Sequence, residues 1–386
     1  MPGSFRKFTK RFLIVANSIV LVFFLTGCLS PYLNPSTWWF FGFMGLVFPY
    51  LLFLLLAFMI LWLFIKPKWT LVSLLALVIG WKSISSIIAF NLQHEFKIEK
   101  SSKALRVMTW NVRRFIKPFS ESFDTGVHPN EQKMLNLIRE QDPDIICFQE
   151  FYTADDGKYA DNIGYFTRNM GYAYHYFSND WTRVRVYHSG TVIFSRFPII
   201  DSGKISLAKA LGDGVESLIY VDVLHNKDTI RIYTGHLQSF GFLRKDYNDL
   251  SRIRNQDSTS LRASRNIFLK MREAFKRRGA QADFIRAKLD MSPYPEVFCG
   301  DLNDVPNSYA YYKVKGDKKD GFIARGLGFG RTYYSFSSGI MRRLPTLRID
   351  YIFADPGFTV LQAHRIPRIL SDHYPVVADL LLETKE

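Results

Sequence analysis

Apolar and polar positions are segregated along this chain rather than mixed. Up to about residue 92, Leu, Phe, Ile, Val and Trp dominate, and from about Lys97 onward the pattern is that of a charged globular domain. Three apolar stretches stand out at the N-terminal end: Phe12–Leu29, Trp38–Ile65 and Trp69–Phe90. The second carries no charge over its 28 residues, ample for a tilted bilayer crossing. The third contains Lys82, which can snorkel, face a neighbouring helix, or mark a segment lying in the interface. The first has a competing reading, because Leu25-Thr26-Gly27-Cys28 resembles a lipoprotein processing box behind a basic and then an apolar region. Two further apolar segments follow at once, so a lipid on Cys28 would be a redundant anchor. The expectation is a membrane region of about three transmembrane helices in residues 1–92, a polar linker at 93–103, and a soluble domain at 104–386.

Beyond the linker the pattern changes to short apolar runs of strand length, many β-branched or aromatic: 105–110, 144–149, 189–195, 217–224, 229–235, 296–300, 348–353 and 376–382. Helical spacing appears at 130–140, where Met134, Leu135 and Ile138 share a face, and over about 258–289. Strands outnumber helices, which fits a two-sheet sandwich with helices on its outer faces better than a doubly wound sheet. No solenoid-type repeat and no low-complexity segment interrupts it.

Charge adds a topology. Lys and Arg cluster before the first apolar stretch, and Lys66 and Lys68 lie between the second and third, whereas residues 30–37 carry none. The positive-inside rule then makes the N-terminus and the 66–68 loop cytoplasmic. Three crossings put the soluble domain outside the cytoplasm, on the inner (cytoplasmic) membrane; a third segment that fails to cross would leave the domain inside. A net charge of +15 favours anionic surroundings such as nucleic acid, lipid headgroups or phosphorylated small molecules. The stretch Arg244–Lys288 is rich in Lys and Arg, and reads either as the approach of a polyanion, as a surface pressed on a bilayer, or as a solvated helix face. Three cysteines do not build a disulfide framework, and Cys147 and Cys299 sit in apolar runs as small buried side chains.

The candidate chemistry lies at the strand ends. Asn111, Glu150 and His236 each close an apolar run; Asp301 and Asn303 close another; Asp350 lies within 347–353, and Asp372 and His373 open the last run. Each alone is more often a turn residue or a solvated side chain. Together they gather acids at the edge of an apolar sheet, where like charges repel and a cation relieves them. Carboxylate and amide oxygens suit Mg²⁺ or Mn²⁺, and no Cys/His spacing for zinc is present.

The ordered segments Trp110-Asn111-Val112, Gln149-Glu150, Ser189-Gly190 with 194–199, Gly235-His236-Leu237, Gly300-Asp301-Leu302-Asn303-Asp304, 348–352 and 371–376 resemble the motifs of the endonuclease/exonuclease/phosphatase superfamily over roughly residues 104–383. The resemblance implies a four-layered α/β sandwich, two packed mixed sheets flanked by helices, following the transmembrane region. It implies a metal-dependent hydrolase of phosphate esters, with Glu150 as principal Mg²⁺ or Mn²⁺ ligand beside Asn111 and Asp372. Asp301 would orient or deprotonate water, and Asn303 would hold a phosphate oxygen. His373, aligned by Asp350, would stabilise the transition state, and His236 would contact the phosphate or assist the leaving oxygen. Thr332, in the family-like loop 328–333, and Ser189 are weaker substrate-binding candidates. Abasic-site enzymes carry an acid where this chain has Arg113, and they lack the His236 motif, which speaks against abasic repair. The partners implied are a membrane and a phosphate-ester substrate, nucleic acid first and lipid headgroup second, with no protein partner. A catalytically silent membrane scaffold is the non-enzymatic alternative, and none of the motif residues is lost.

Overall fold

The computed structural model describes residues 2–92, 95–116, 129–155, 161–183, 185–207, 216–242, 246, 260–334 and 345–383. Two mixed sheets pack face to face. One runs β14 (Phe358–Arg365), β15 (Val376–Leu382), β2 (Leu105–Asn111), β3 (Ile145–Ala154), β6 (Tyr187–Ser195), β4 (Tyr174–Phe177), with β5 (Trp181–Arg183) also paired to β6. The other runs β11 (Lys319–Asp320), β13 (Asp350–Ala354), β10 (Glu296–Asp301), β9 (Asp228–His236), β8 (Ser217–His225), β7 (Ile199–Ser206).

Strand period two explains the near-continuous apolar runs, because both faces of the central strands are covered. Leu105 and Val107 of β2, Ile145 and Cys147 of β3, and Val297 and Cys299 of β10 fill the layer between the sheets. Their neighbours Met108, Trp110, Ile146 and Phe148 point the other way, under α5 (Pro129–Gln141) and α6 (Asn162–Asn169). Phe298, Tyr351 and Phe353 cover the opposite outer face, under α7 (Ser260–Leu289) and α8 (Tyr309–Lys315). This is the expected four-layered sandwich. Each fully buried Val, Leu, Ile or Phe contributes about 1.5–3 kcal/mol, so the alternation alone selects the register. Apart from the two-residue strands, those that the apolar pattern does not mark, β4, β5, β7 and β14, lie at or near sheet edges. An edge strand with one wet face, such as Ile-Ile-Asp-Ser-Gly-Lys-Ile-Ser in β7, loses the apolar run that identifies an inner one.

The N-terminal region folds as α1 (Pro2–Gly27), α2 (Phe40–Ile65), α3 (Thr70–Ile79) and α4 (Trp81–Ile87). Two helices, Lys7–Gly27 and Phe40–Ile65, are long and apolar enough to cross a membrane. The third apolar stretch is not one helix: it bends by 67° between Pro67–Ile79 and Trp81–Ile87. Gly80 sits at the break, where an added Cβ would stand 2.6 Å from the Phe24 ring of α1. The stretch also ends differently from the sequence expectation, since Ala89–Phe90 forms β1 on β12 (Leu327–Gly328) of the catalytic domain. Apolarity marks burial in lipid or in protein equally, so it does not separate the two.

The N-terminal helices are seamed to the sandwich. Asn307 Nδ2 donates to the Gly27 carbonyl at 3.0 Å, and Arg348 Nη2 to the Ser86 carbonyl at 2.7 Å. The Tyr50 and Thr346 hydroxyls pair at 3.0 Å, and Phe43 stacks on Phe268 at 5.0 Å. The expected linker is held as well: the Lys97 amide donates to Gln362 Oε1 at 2.9 Å, and buried Arg106 donates to the Ile98 carbonyl at 2.7 Å.

Candidate active site

The C-terminal ends of β2, β9 and β10 converge with the middle of β3 at Glu150, with the start of β13 and with the Ser371–His373 turn before β15. β10 runs parallel to β9, and β2 parallel to β3, so their ends fall on one edge of the sandwich. Gly300 allows the approach: a Cβ there would stand 2.2 Å from the Gly235 carbonyl oxygen.

Glu150 reaches the site through a bulge. Between Phe148 and Phe151, β3 carries one residue more than β6 opposite, and Glu150 takes φ +50°. That left-handed conformation is uncommon for a residue with a Cβ, and bulges re-aim side chains at functional edges. Ser189 bonds to the bulge rather than to the carboxylates, its hydroxyl donating to the Phe151 carbonyl at 3.0 Å. Asn111 links two acids, with Nδ2 3.3 Å from Glu150 Oε1 and 3.1 Å from Asp301 Oδ2. His236 Nε2 stands 4.0 Å from Glu150 Oε1 and 3.7 Å from Asp301 Oδ2.

His373 is sandwiched between carboxylates. Its Nδ1 lies 3.0 Å from Asp350 Oδ2, 3.1 Å from Asp350 Oδ1 and 3.7 Å from Asp301 Oδ2. Burial alone would lower its pKa, but Asp350 and Asp301 outweigh burial and raise it to about 10. Burial first, then the charge of Asp350, push Asp301 up to about 6 against the pull of His373 and His236. Burial also acts to raise Glu150, yet the positive charge available at His236 and His373 and the Asn111 bond hold it below its ordinary value. Asp372 is raised, chiefly by burial, against His373 and Arg113.

Two residues expected to contact substrate also hold the site together. Thr332 is buried, and its hydroxyl oxygen accepts from the amides of Ile349 at 2.9 Å and Asp350 at 3.1 Å. It holds the strand start that carries Asp350. Asn303 takes φ +51°, donates its amide to Asp301 Oδ1 at 2.7 Å, and ties its side chain to the Leu237 carbonyl at 2.9 Å. Three neighbours escaped the sequence reading. Arg113 Nη1 lies 3.3 Å from Asp372 Oδ2, the Tyr333 ring meets His373 edge-on at 5.1 Å, and Ser371 donates to the Asn111 carbonyl at 2.9 Å. Arg113 follows the 110–112 motif, Ser371 opens the 371–376 one and Tyr333 closes the 328–333 loop, which was the available signal.

The donor chemistry suits a hard divalent cation: Glu150, Asp301 and Asp372 carboxylates with the Asn111 amide, and no thiolate. The Asp301, Asp350 and His373 donor atoms also lie within 4.8 Å of one another. His373 held protonated has no lone pair to offer, so that trio reads as a proton-holding cluster and the Glu150 side as the cation side. As drawn, Asn111 turns its nitrogen to both acids and its Oδ1 to the Arg113 amide. Ligation by Asn111 needs the amide turned over, an assignment that hydrogen bonding alone decides.

Comparison with known proteins agrees with this fold. Among solved structures, an endonuclease/exonuclease/phosphatase from Beutenbergia cavernae DSM 12333 aligns over 73% of this chain and 72% of its own at 22% identity and TM-score 0.50. A family protein from Bacteroides thetaiotaomicron aligns over 74% of this chain and 100% of its own at 17% identity and TM-score 0.51. These likenesses concern the fold. No curated protein matches the chain. Residues 10–87 match a domain of unknown function (DUF8431). Residues 108–373 match the Endonuclease/Exonuclease/phosphatase family; running from before Asn111 to His373, that match places the chain in this family of metal-dependent phosphoester hydrolases.

Proposed function

We propose that the protein is a membrane-anchored phosphodiesterase using Mg²⁺ or Mn²⁺, with Glu150, Asn111 and Asp372 holding the ion. Bound there, the ion would supply Lewis-acid neutralisation of the phosphate oxygens. Asp301, buried and raised towards neutrality, orients the attacking water and takes its proton. Asn303 offers a side-chain N–H to a non-bridging oxygen. His373, kept protonated by Asp350, stabilises the charge that builds on the phosphorane-like transition state. His236, facing both Glu150 and Asp301, contacts the phosphate or assists the departing oxygen. The observation that carries this reading is the placing of His373 against Asp350 and Asp301 beside the Asn111–Glu150 pair.

The anchoring reading rests on α1 and α2. Lys7, Lys10 and Arg11 begin α1, and Lys66 and Lys68 follow α2. The opposite ends of these helices meet the catalytic domain at Asn307 and Phe268. The basic residues therefore lie about 24–30 Å away along α1 and about 39 Å away along α2; with the bent third stretch crossing as one broken span, the positive-inside rule puts the domain on the extracytoplasmic side.

Nucleic acid is the leading substrate on charge. A lipid-headgroup phosphodiester is the second reading, favoured by the seam: Asn307 follows the Asp301–Asn303 turn, Phe329 precedes Thr332, and both touch the membrane helices. The test is the full-length protein in nanodiscs, with Mg²⁺ or Mn²⁺, against DNA, RNA, phospholipid and inositol phosphates. Nucleic-acid hydrolysis that falls steeply with added salt supports the first reading; lipid cleavage with nucleic acid untouched supports the second. Inactivity of the metal-loaded protein on every phosphodiester would refute both.

A further inference from the structure

The site chemistry leaves one residue of the apolar region unused. Lys82 is a cation placed among apolar neighbours, and intramembrane cations are costly unless they meet an anion or reach water. The bend at Gly80 carries it to the junction with the catalytic domain. Its ammonium lies 4.8 Å above the Tyr32 ring and 5.3 Å from the Tyr312 ring, and its carbonyl accepts from the Tyr312 hydroxyl at 2.8 Å. Among the described residues no carboxylate forms a salt bridge with it.

Lys82 lines a cavity of about 570 Å³, whose walls include Val22, Leu25, Leu29 and Ile79. Lys82 is the one charged residue of that lining, with the polar groups of Thr26, Tyr32 and Ser83 nearby. A volume of this size falls in the range of small-molecule sites. Val22, Leu29 and Ile79 are also exposed on the outer surface of the helices, at 61%, 47% and 60%. The cavity therefore opens sideways, where an acyl chain would run, with its single cation at the domain end.

Building on the anchored reading above, we infer that this junction cavity binds one anionic phospholipid, its phosphate on Lys82 and the upper part of an acyl chain against Leu25, Leu29 and Ile79. An aqueous phosphate ester would not need the apolar walls. A zwitterionic lipid would bring its own cation against Lys82. A net-negative phosphodiester with a chain satisfies both parts, in the way basic pockets between transmembrane helices hold acidic headgroups. The occupant would bridge α1 and the α3–α4 bend, the same bend whose Ser86 carbonyl accepts from Arg348.

The experiment is native mass spectrometry of the full-length protein in detergent, offered equimolar phosphatidylglycerol and phosphatidylcholine. Wild type and Lys82→Arg should retain one phosphatidylglycerol in preference to phosphatidylcholine. Lys82→Gln should lose that retention at least about tenfold, scaled to the loss of a charge-assisted contact, and Ile79→Trp should block it by filling the cavity. Equal adducts of both lipids on wild type, or retention by Lys82→Gln equal to that of wild type, would overturn the proposal. Should Lys82→Gln fail to fold, judged by loss of its melting transition, Ile79→Trp decides alone: undiminished retention there overturns the site. Alkaline carbonate extraction separates this from the anchoring reading. Release of the chain refutes both, whereas a chain that stays in the membrane without lipid preference refutes the cavity site only.

Discussion

Arg348 joins the N-terminal helices to the strand that carries Asp350, and its removal has a calculable effect. Its side chain and that of Asp320 are each 1% exposed and pair at 2.6 Å, while its other nitrogen reaches the Ser86 carbonyl at 2.7 Å. The guanidinium also lies 5.2 Å from the rings of Phe322 and Tyr351. Arg348→Met keeps an unbranched side chain, two atoms shorter, and removes the charge. Asp320 is then left buried without its cation, and losing one partner of a buried pair costs about 3–5 kcal/mol. The lower end applies, because Asp320 still accepts from Tyr311 and from the amides of Phe322 and Ile323. At about 2–4 °C per kcal/mol for a domain of this size, the melting temperature should drop by about 6–12 °C. Asp320→Asn added to Arg348→Met removes the stranded charge and should recover more than half of the loss. The assay is thermal unfolding of the full-length protein in detergent, followed by intrinsic fluorescence. A single mutant melting within about 2 °C of wild type, or a double mutant no better than the single, would refute the buried Arg348–Asp320 pair as a stabilising element.

Further outcomes follow from the site. Glu150→Gln, Asp301→Asn and His373→Ala should each lower turnover at least about a hundredfold with little change in melting temperature; near-wild-type turnover in any of them removes that residue from the mechanism. EDTA should abolish hydrolysis and Mg²⁺ or Mn²⁺ should restore it, so full activity in EDTA would sink the metal assignment. The profile of kcat/KM against pH should fall on the acid side as Asp301, raised to about 6, gains a proton, and on the alkaline side as His373, raised to about 10, loses one. A bound cation would move the acid limb lower. Asp350→Asn removes the main charge that raises His373, so its alkaline limb should shift down; an unmoved limb would separate the two residues. Protease added to cells with a permeabilised outer membrane, where the host has one, should degrade the catalytic domain, and protection would place that domain inside.

Much of the site was legible from the sequence because its residues come from strand ends. An inner strand buried on both faces writes itself as an apolar run, as in Ile145–Phe148 or Val297–Cys299, and the polar residue that ends the run is the one delivered to the edge. The segregation of the first 92 residues likewise follows from hydrophobicity alone, since apolar surface must leave water somewhere. Three-dimensional contact decided the rest. Asp350 and His373 are 23 positions apart, Asn111 and Asp301 190, and Ser86 and Arg348 262, so no local pattern reports their pairing. The bulge that turns Glu150 inward depends on the count of residues in β6 opposite it. Thr332 proved to support Asp350 because the amides it receives lie on a different segment. The third apolar stretch is divided between a bent helix pair and a strand because Phe24 and β12 occupy the space beside it. Hydrophobicity states that such a stretch is hidden from water; the neighbour that hides it is set only when the chain has folded.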